Sequence, residues 1–402
     1  MNDALETQVQ TNPPAQPSCP RGGETPAGLK PLPMLEPEPV ACCGPRPAPP
    51  SGDWERPGYW LWPFVEGFMD TAVGPVPQVK TRWERSDLIG SIGARIGFRN
   101  NYKIAPGLYA VGRPDPEAPV LVTANYKLTF DVLRKELAGL DVWLLVLDTR
   151  GINVWCAAGD KLFSTAELVN RLKLTGLEKV VNHRNLILPQ LSATGVSALQ
   201  VKRDGGFKVT WGPVRARDIK RFIAAGYEAE PAMRLVTFSI LERLVLVPIE
   251  ITALRKPVPW ALLIIFGLSG LGPGVFSLGA AWGRGLMAAL ALLMAVLAGA
   301  AAAPILLPWL PGRTFSLKGA ITGLAGGLAV VALVWGRAGW GEDLALVLLA
   351  ASISSYLAMN FTGATPFTSP SGVEKEMRRA IPWQAAGLLA SMILWIGAAF
   401  WA

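Results

Sequence analysis

The chain has 402 residues, a net charge of +8 and a hydrophobic fraction of 51%. That is long enough for two or three structural units and too apolar for one ordinary water-soluble domain. Four cysteines in so long and basic a chain do not make a disulfide framework, and no Cys/His spacing reads as a zinc site. A phosphate-binding loop is excluded as well, because no Gly-x-x-x-x-Gly-Lys-Ser/Thr run occurs and no glycine fingerprint follows a strand.

Residues 1–57 carry 14 prolines together with Cys19, Cys42 and Cys43. Such a segment buries too little apolar surface to offset its ordering entropy and reads as a disordered Pro-rich tail. It lacks the charged start and apolar core of a secretory leader. The neighbouring Cys42 and Cys43 read as incidental.

From about 72 to 230 short apolar runs alternate with helical stretches. Gly107 to Gly112 and Val120 to Thr123 predict strands, Leu128 to Leu137 a helix, and Val142 to Leu147 a buried strand. A helix is predicted over Thr165 to Leu174, opened by Ser164 or Thr165 with Glu167 and closed by Gly176. Short strands are predicted at Val180-Val181, Gly195 to Val201 and Phe207 to Trp211. A further helix is predicted from Pro213 to Ala225. Strands alternating with helices imply an α/β domain with a mostly parallel sheet flanked by helices. Ligands of such sheets bind outside the carboxyl ends of the strands, so the loops around Thr123 to Tyr126 and around Cys156 are expected to border one site.

Residues 231–256 are apolar but carry Glu242 and Arg243, and predict a strand pair or an interfacial juxtamembrane linker. Residues 257–402 predict an all-α transmembrane domain of five helices, near 258–281, 285–310, 317–336, 343–361 and 382–401. Arg255, Lys256, Arg313, Lys318, Lys375, Arg378 and Arg379 fall on one side, against Arg284 and Arg337 on the other. The positive-inside rule then puts the α/β domain in the cytoplasm, the spans in the inner membrane and the C-terminus outside. With no charge in the middle of a span, this part reads as an anchor and packing platform with no transport path.

The chemistry concentrates at Cys156, in Asn153-Val154-Trp155-Cys156-Ala157-Ala158-Gly159 directly after the buried run at 142–147. A thiolate is favoured at a helix N-terminus, and the small residues after it leave room for a flat group. Residue chemistry alone leaves open whether Cys156 is a buried structural cysteine or a soft-metal ligand. The one histidine, His183, lies in a polar turn and predicts a turn-bonding role, so no Cys/His catalytic pair is expected. Around it the Asp-x-His-x-x-Gly signature of histidine-ligated cobalamin is absent. Arg215, Arg217, Lys220 and Arg221 lack stacking aromatics and do not make a nucleic-acid surface.

Residues 153–159 resemble the cap-helix motif of the membrane-anchored corrinoid protein of microbial mercury methylation. The similarity continues through Asn182-His183-Arg184, Leu188-Pro189-Gln190-Leu191 and Gly212 to Asp218, and into the apolar C-terminal half. It implies a corrinoid domain related to that of the corrinoid iron–sulfur proteins, binding cobalamin or a related corrinoid. Cys156 would be the catalytic residue and the lower axial ligand of cobalt, with Asn153, Val154, Trp155, Ala157, Ala158 and Gly159 as the cap beneath the ring. Thr123 is added to this set from strand-end position. The implied activity is a corrinoid-dependent methyltransferase that passes a methyl group to Hg(II), giving methylmercury. The implied partners are a methyl donor from a methyl-tetrahydrofolate pathway and a ferredoxin-like iron–sulfur protein as reductant, docking at the basic helix 215–221 or the 360–379 loop. Asp160-Lys161-Leu162-Phe163 departs from the Lys-Gly-Thr-Phe that commonly follows the motif. A carrier of one-carbon metabolism that does not act on mercury, and a non-catalytic membrane scaffold, are the alternatives.

Overall fold

The computed structural model describes residues 63–97, 102–361, 365 and 370–401. The Pro-rich tail with Cys19, Cys42 and Cys43 lies outside the described residues, as does most of the loop before 370.

A seven-stranded mixed sheet carries the first half. Its strands are β1 (Val65–Thr71), β2 (Gly74–Val79), β3 (Gly107–Val111), β4 (Val120–Ala124), β5 (Val142–Leu147), β6 (Asn185–Leu188) and β7 (Lys208–Trp211), in the spatial order β1-β2-β3-β5-β4-β6-β7. Strands β5, β4, β6 and β7 run parallel, β3 is antiparallel to β5, and β1 and β2 form an antiparallel hairpin. All six residues of β5 are buried, because both faces of the sheet are covered. Trp143, Leu145 and Leu147 pack on one face with Val154, Ala157, Phe163, Leu168 and Leu172. Val142, Leu144 and Val146 pack on the other with Phe130, Leu133, Ile219 and Phe222.

The helices of this part are α1 (Arg85–Arg95), α2 (Lys127–Glu136), α3 (Val154–Gly159), α4 (Thr165–Thr175), α5 (Ala198–Gly205) and α6 (Ile219–Ala224). Helix α4 starts and stops where its sequence signals lie. Ser164 accepts from the Glu167 N–H at one end, and Gly176 takes the left-handed conformation at the other. Three expectations are corrected. Val180-Val181 follows a 3₁₀ turn and is not a strand. Residues 195–201 turn into α5, whose N-cap Ser197 accepts from Gln200 N–H. Pro213 precedes the helical residues, which begin with a 3₁₀ turn at Ala216–Asp218.

Residues 231–256 form no strand pair. They fold into a 3₁₀ turn (Pro231–Arg234), α7 (Ile240–Leu244) and α8 (Val247–Ala253). Arg243 of α7 is buried, donates to the Ile305 carbonyl at 2.7 Å and lies over the Trp309 ring at 5.4 Å. This pins the linker to the apolar bundle.

That bundle comprises α9 (Pro257–Ser269), the hairpin β8 (Leu271–Gly272) and β9 (Val275–Phe276), α10 (Leu278–Val296), α11 (Ala303–Ile305), α12 (Phe315–Leu333), α13 (Trp340–Asn360) and α14 (Pro370–Trp401). A π-helical turn at Leu297–Ala302 joins α10 to α11, and the Ala298 carbonyl there accepts from Thr322 Oγ1 at 3.2 Å. Against the five predicted spans the structure allows four, or five where the bent pair of helices ending at Ser269 counts as one. Among the described residues four helices are long and apolar enough to cross a membrane: Leu278–Ile305, Phe315–Leu333, Trp340–Asn360 and Ser371–Phe400. The first predicted span stops at Ser269, and it reaches spanning length only together with Ile240–Ala253, across a bend of 57°. Gly319, Gly323 and Gly327 lie along one face of α12, where a Cβ would collide with α13. Such small residues let helix backbones approach closely in lipid.

Candidate functional site

Chain order places the site. After β4 the chain passes to β5 on one side, then crosses to β6 on the other side of β4. Loops at the carboxyl ends of β4 and β5 therefore part at a switch point, where open α/β sheets leave a crevice.

Asn125, fully buried just after β4, ties these two loops together. Its Oδ1 accepts from Thr149 N–H at 3.0 Å, Thr149 Oγ1 at 3.0 Å and Gly151 N–H at 2.9 Å, while its Nδ2 donates to Asp148 Oδ1 at 3.0 Å. The Asp148 N–H in turn donates to Glu167 of α4 at 2.9 Å. Arg150 and Gly151 both have positive φ, so the chain turns sharply between the buried strand and α3.

Asn153 is the N-cap of α3 and accepts from the Cys156 N–H at 3.0 Å. Val154, Ala157 and Ala158 are buried against the sheet, whereas Trp155 is 39% exposed and Cys156 is half-buried. Gly159, three residues on from Cys156, has nothing within 4 Å of where a Cβ would stand. The motif thus divides by face. Its apolar residues hold the helix down, and Trp155, Cys156 and Gly159 lie on the open side. Behind α3, a Cβ on Gly195 would run into the Phe163 carbonyl and the Ala158 backbone, so this glycine lets the next loop close against the helix end. Cys156 is not disulfide-bonded.

Beside the helix, a cavity of about 400 Å³ opens at the carboxyl ends of β4, β6 and β7. Thr123 and Asn153 both line it, with Arg95 of α1, Tyr126, Ile187 and Val214 among the others. Thr123 and Tyr126 from one of the two loops and Asn153 from the other thus line one cavity. Cys156 is not among the lining residues and stands on the adjoining face of α3. Asn125 and Thr149 were not expected as site-building residues. Their sequence signal is a polar Asn and a Thr-Arg-Gly run at two consecutive strand ends.

His183 is set apart from this region. Its Nε2 lies 2.9 Å from the Ala118 carbonyl and its Nδ1 accepts from Asn185 N–H at 3.2 Å. It precedes β6, at the amino ends of the parallel strands, whereas Cys156 follows the carboxyl end of β5. The two do not form a pair. On the basic stretch, Arg215 pairs with Glu242 of α7 and Arg221 with Glu230, so two of these four basic residues are paired within the chain. Among the described residues no group of three or more His, Cys, Asp or Glu side chains is placed to hold a metal ion.

The fold is an open α/β sheet with a crevice at the carboxyl ends of its strands and a half-buried cysteine on the adjoining helix α3. Residues 98–223, which contain α3 and the cavity lining apart from Arg95, match the family described as CO dehydrogenase/acetyl-CoA synthase delta subunit. The acetyl-CoA decarbonylase/synthase complex subunit gamma of Archaeoglobus fulgidus is 33% identical over 127 residues, 31% of this chain and 27% of that protein. The corresponding subunit of Methanopyrus kandleri is 37% identical over 97 residues, 24% and 21% of the two chains. Subunit gamma 1 of Methanosarcina thermophila is 34% identical over 99 residues, again 24% and 21%. The chain therefore spans about a quarter of the length of these relatives.

Proposed function

We propose that the chain is a membrane-anchored corrinoid-dependent methyl carrier, with Cys156 as the lower ligand of the cobalt and Hg(II) as the methyl acceptor. What supports the corrinoid is the pairing of a half-exposed Cys156 with an open Gly159 on one side of α3, inside the segment that matches subunits of acetyl-CoA decarbonylase/synthase systems. A flat macrocycle fits such a face, because no side chain rises from Gly159 to meet it. When bound, the corrinoid would supply a cobalt atom able to carry a methyl group.

This chain's residues would do the rest. Cys156 presents a soft sulfur suited to cobalt, and Asn153 fixes its backbone through the cap bond. Val154, Ala157 and Ala158 keep the helix seated, and Trp155 stands on the open side as an apolar wall. Thr123 offers a hydroxyl in the neighbouring cavity. A soft acceptor such as Hg(II) matches the electron-rich carrier that a thiolate ligand would make. A ferredoxin-like protein as reductant and a methyl-tetrahydrofolate-derived donor complete the reading, with the α/β domain on the cytoplasmic side of the inner membrane. The relatives' membership of acetyl-CoA decarbonylase/synthase complexes favours a second reading, in which the methyl group serves one-carbon metabolism.

The test is the ultraviolet–visible spectrum and cobalt content of the purified full chain incubated with cobalamin, for the native protein and Cys156→Ala. A bound corrinoid whose cobalt spectrum changes when the sulfur is removed is expected. Methylmercury formed on adding Hg(II) to the methylated protein selects the first reading. A loaded protein that leaves Hg(II) unmethylated selects the second. Folded native protein that takes up no corrinoid would return Cys156 to a structural role.

A further inference from the structure

Helix α1 carries a surface that the site does not use. Its inner face is Asp87, Ser91 and Ala94, all buried. The outer face presents Leu88 at 53% exposure, Ile89 at 69% and Ile92 at 52%, with Arg85 and Arg95 at the two ends. Three large aliphatic side chains side by side on a solvent face mark a contact surface.

The position of the helix says what covers it. Just past its C-terminal end, the Cβ position of Gly97 is 3.2 Å from Thr252 Cγ2 and 4.0 Å from Arg255 Nη1. Thr252 lies in the last turn of α8, and the chain runs at once through Arg255 and Lys256 into the apolar α9. The short helices before it also turn aliphatic residues outward, among them Leu241, Leu244 and Ile251, and they are pinned to the bundle by Arg243. Exposed apolar residues thus occur on α1, on α7 and α8, and at Trp260 and Leu263 of α9, with α1 meeting α8 at Gly97 and Thr252 and with Arg85, Arg95, Arg255 and Lys256 on the same segments. Apolar residues flanked by cations are the composition of a helix lying in the headgroup region of an anionic bilayer.

We infer that α1 is an in-plane membrane contact: Leu88, Ile89 and Ile92 enter the lipid surface beside α8, and Arg85 and Arg95 meet anionic headgroups. Arg95 also lines the cavity next to α3. The contact thus sets the mouth of the candidate site against the lipid surface. The inference rests on the reading of the C-terminal half as membrane-spanning and is independent of which cofactor binds.

The experiment reconstitutes the full chain in vesicles of phosphatidylcholine and phosphatidylglycerol that contain a photoactivatable phosphatidylglycerol, and maps the lipid adducts by mass spectrometry. Adducts are expected on Leu88, Ile89 and Ile92, as on the bundle residue Leu333, and not on Leu199, an exposed leucine of α5. Ile89→Asp, at a position too exposed to threaten folding, should abolish labelling of α1 and leave Leu333 labelled. Labelling of Leu333 with none on α1 above Leu199 overturns the inference, and means that a protein surface covers the helix. Absence of label on Leu333 overturns the membrane reading itself.

Discussion

Two asparagines set the local geometry in different ways. Asn125 is buried and satisfies two N–H donors of the 149–151 loop, so Asn125→Ala strands the Thr149 and Gly151 N–H groups. A cost of about 2–4 kcal/mol is expected. Asn153 forms one cap bond at a half-exposed site, and Asn153→Ala should cost about 1 kcal/mol. Thermal unfolding of the full chain in detergent measures both. The expected order, Asn125→Ala well below Asn153→Ala in stability, would be reversed if the 148–153 loop were held chiefly by α3. Cys156→Ala removes a half-buried thiol and should change stability by less than about 1 kcal/mol, so a lost corrinoid spectrum in that variant reports ligation.

At the level of elements, α1 is fastened to α2 by a buried charge cluster. Lys127 Nζ meets Asp87 Oδ1 at 2.9 Å and Asp131 Oδ2 at 2.6 Å, while Arg134 meets Asp87 at 2.7 Å and Asp131 at 2.9 Å. Burial pushes the Asp87 carboxyl up, but the Glu84 N–H bond, Lys127 and Arg134 outweigh it and bring its pKa down to about 2, from an ordinary 3.8. A carboxylate depressed on folding stabilises the protein above its unfolded pKa and loses that contribution as pH falls through the folded one. About 2 kcal/mol should therefore be present above pH ~4 and vanish toward pH ~2. Asp87→Asn should remove this acid-dependent part and cost about 3–5 kcal/mol at neutral pH by leaving the cations underpaired. Unfolding followed between pH 2 and 5 for both proteins checks the sign, and an unchanged acid slope in Asp87→Asn would exclude Asp87 as its source.

The same scale shows what the sequence made legible. Strands β3, β4, β5 and β7 and helices α2 and α4 stand where apolar runs and capping residues put them, since burial on both faces and end signals are written locally. The hairpin β1–β2 and α1 were missed, because their apolar residues are sparse and α1 turns part of them to the outside. Residues 195–201 mislead because Val196 and Val201 suggest a strand, whereas the Ser197 cap starts a helix. Near the candidate site, the short helix that carries Cys156 was legible from its run. The Asn125 network was not, since it depends on two strand ends meeting across the sheet.

At the scale of the whole molecule, contacts at the two ends of the bundle order its helices. Ser269 at the end of α9 binds Trp395 of α14 through its Oγ at 2.9 Å and accepts from Arg284 of α10 through its carbonyl at 3.2 Å. At the other end of the bundle, Arg243 holds Ile305 and Glu376 accepts from the Ser316 N–H. Short as it is, α9 thus runs from the linker to the far end of the bundle, and the basic residues Arg313 and Lys318 stay on the linker side. In intact cells a membrane-impermeant maleimide is expected to add to Arg337→Cys beyond the unsubstituted chain, and to reach Arg313→Cys only after permeabilisation. Equal labelling of both before permeabilisation would overturn the cytoplasmic placement of the α/β domain.

The π-helical turn at Leu297–Ala302 has a mechanical meaning for that arrangement. A widened turn inserts a residue into the helix and advances everything beyond it by about 100° around the axis. The part of the helix before the turn is thereby aimed at α9 and α13 independently of the part after it, where the Ile305 carbonyl receives Arg243. Without the inserted residue, uniform pitch would swing that carbonyl out of phase with α7. The coupling between the bundle and the linker that leads to the domain carrying Cys156 thus hangs on the winding of six residues inside the bundle.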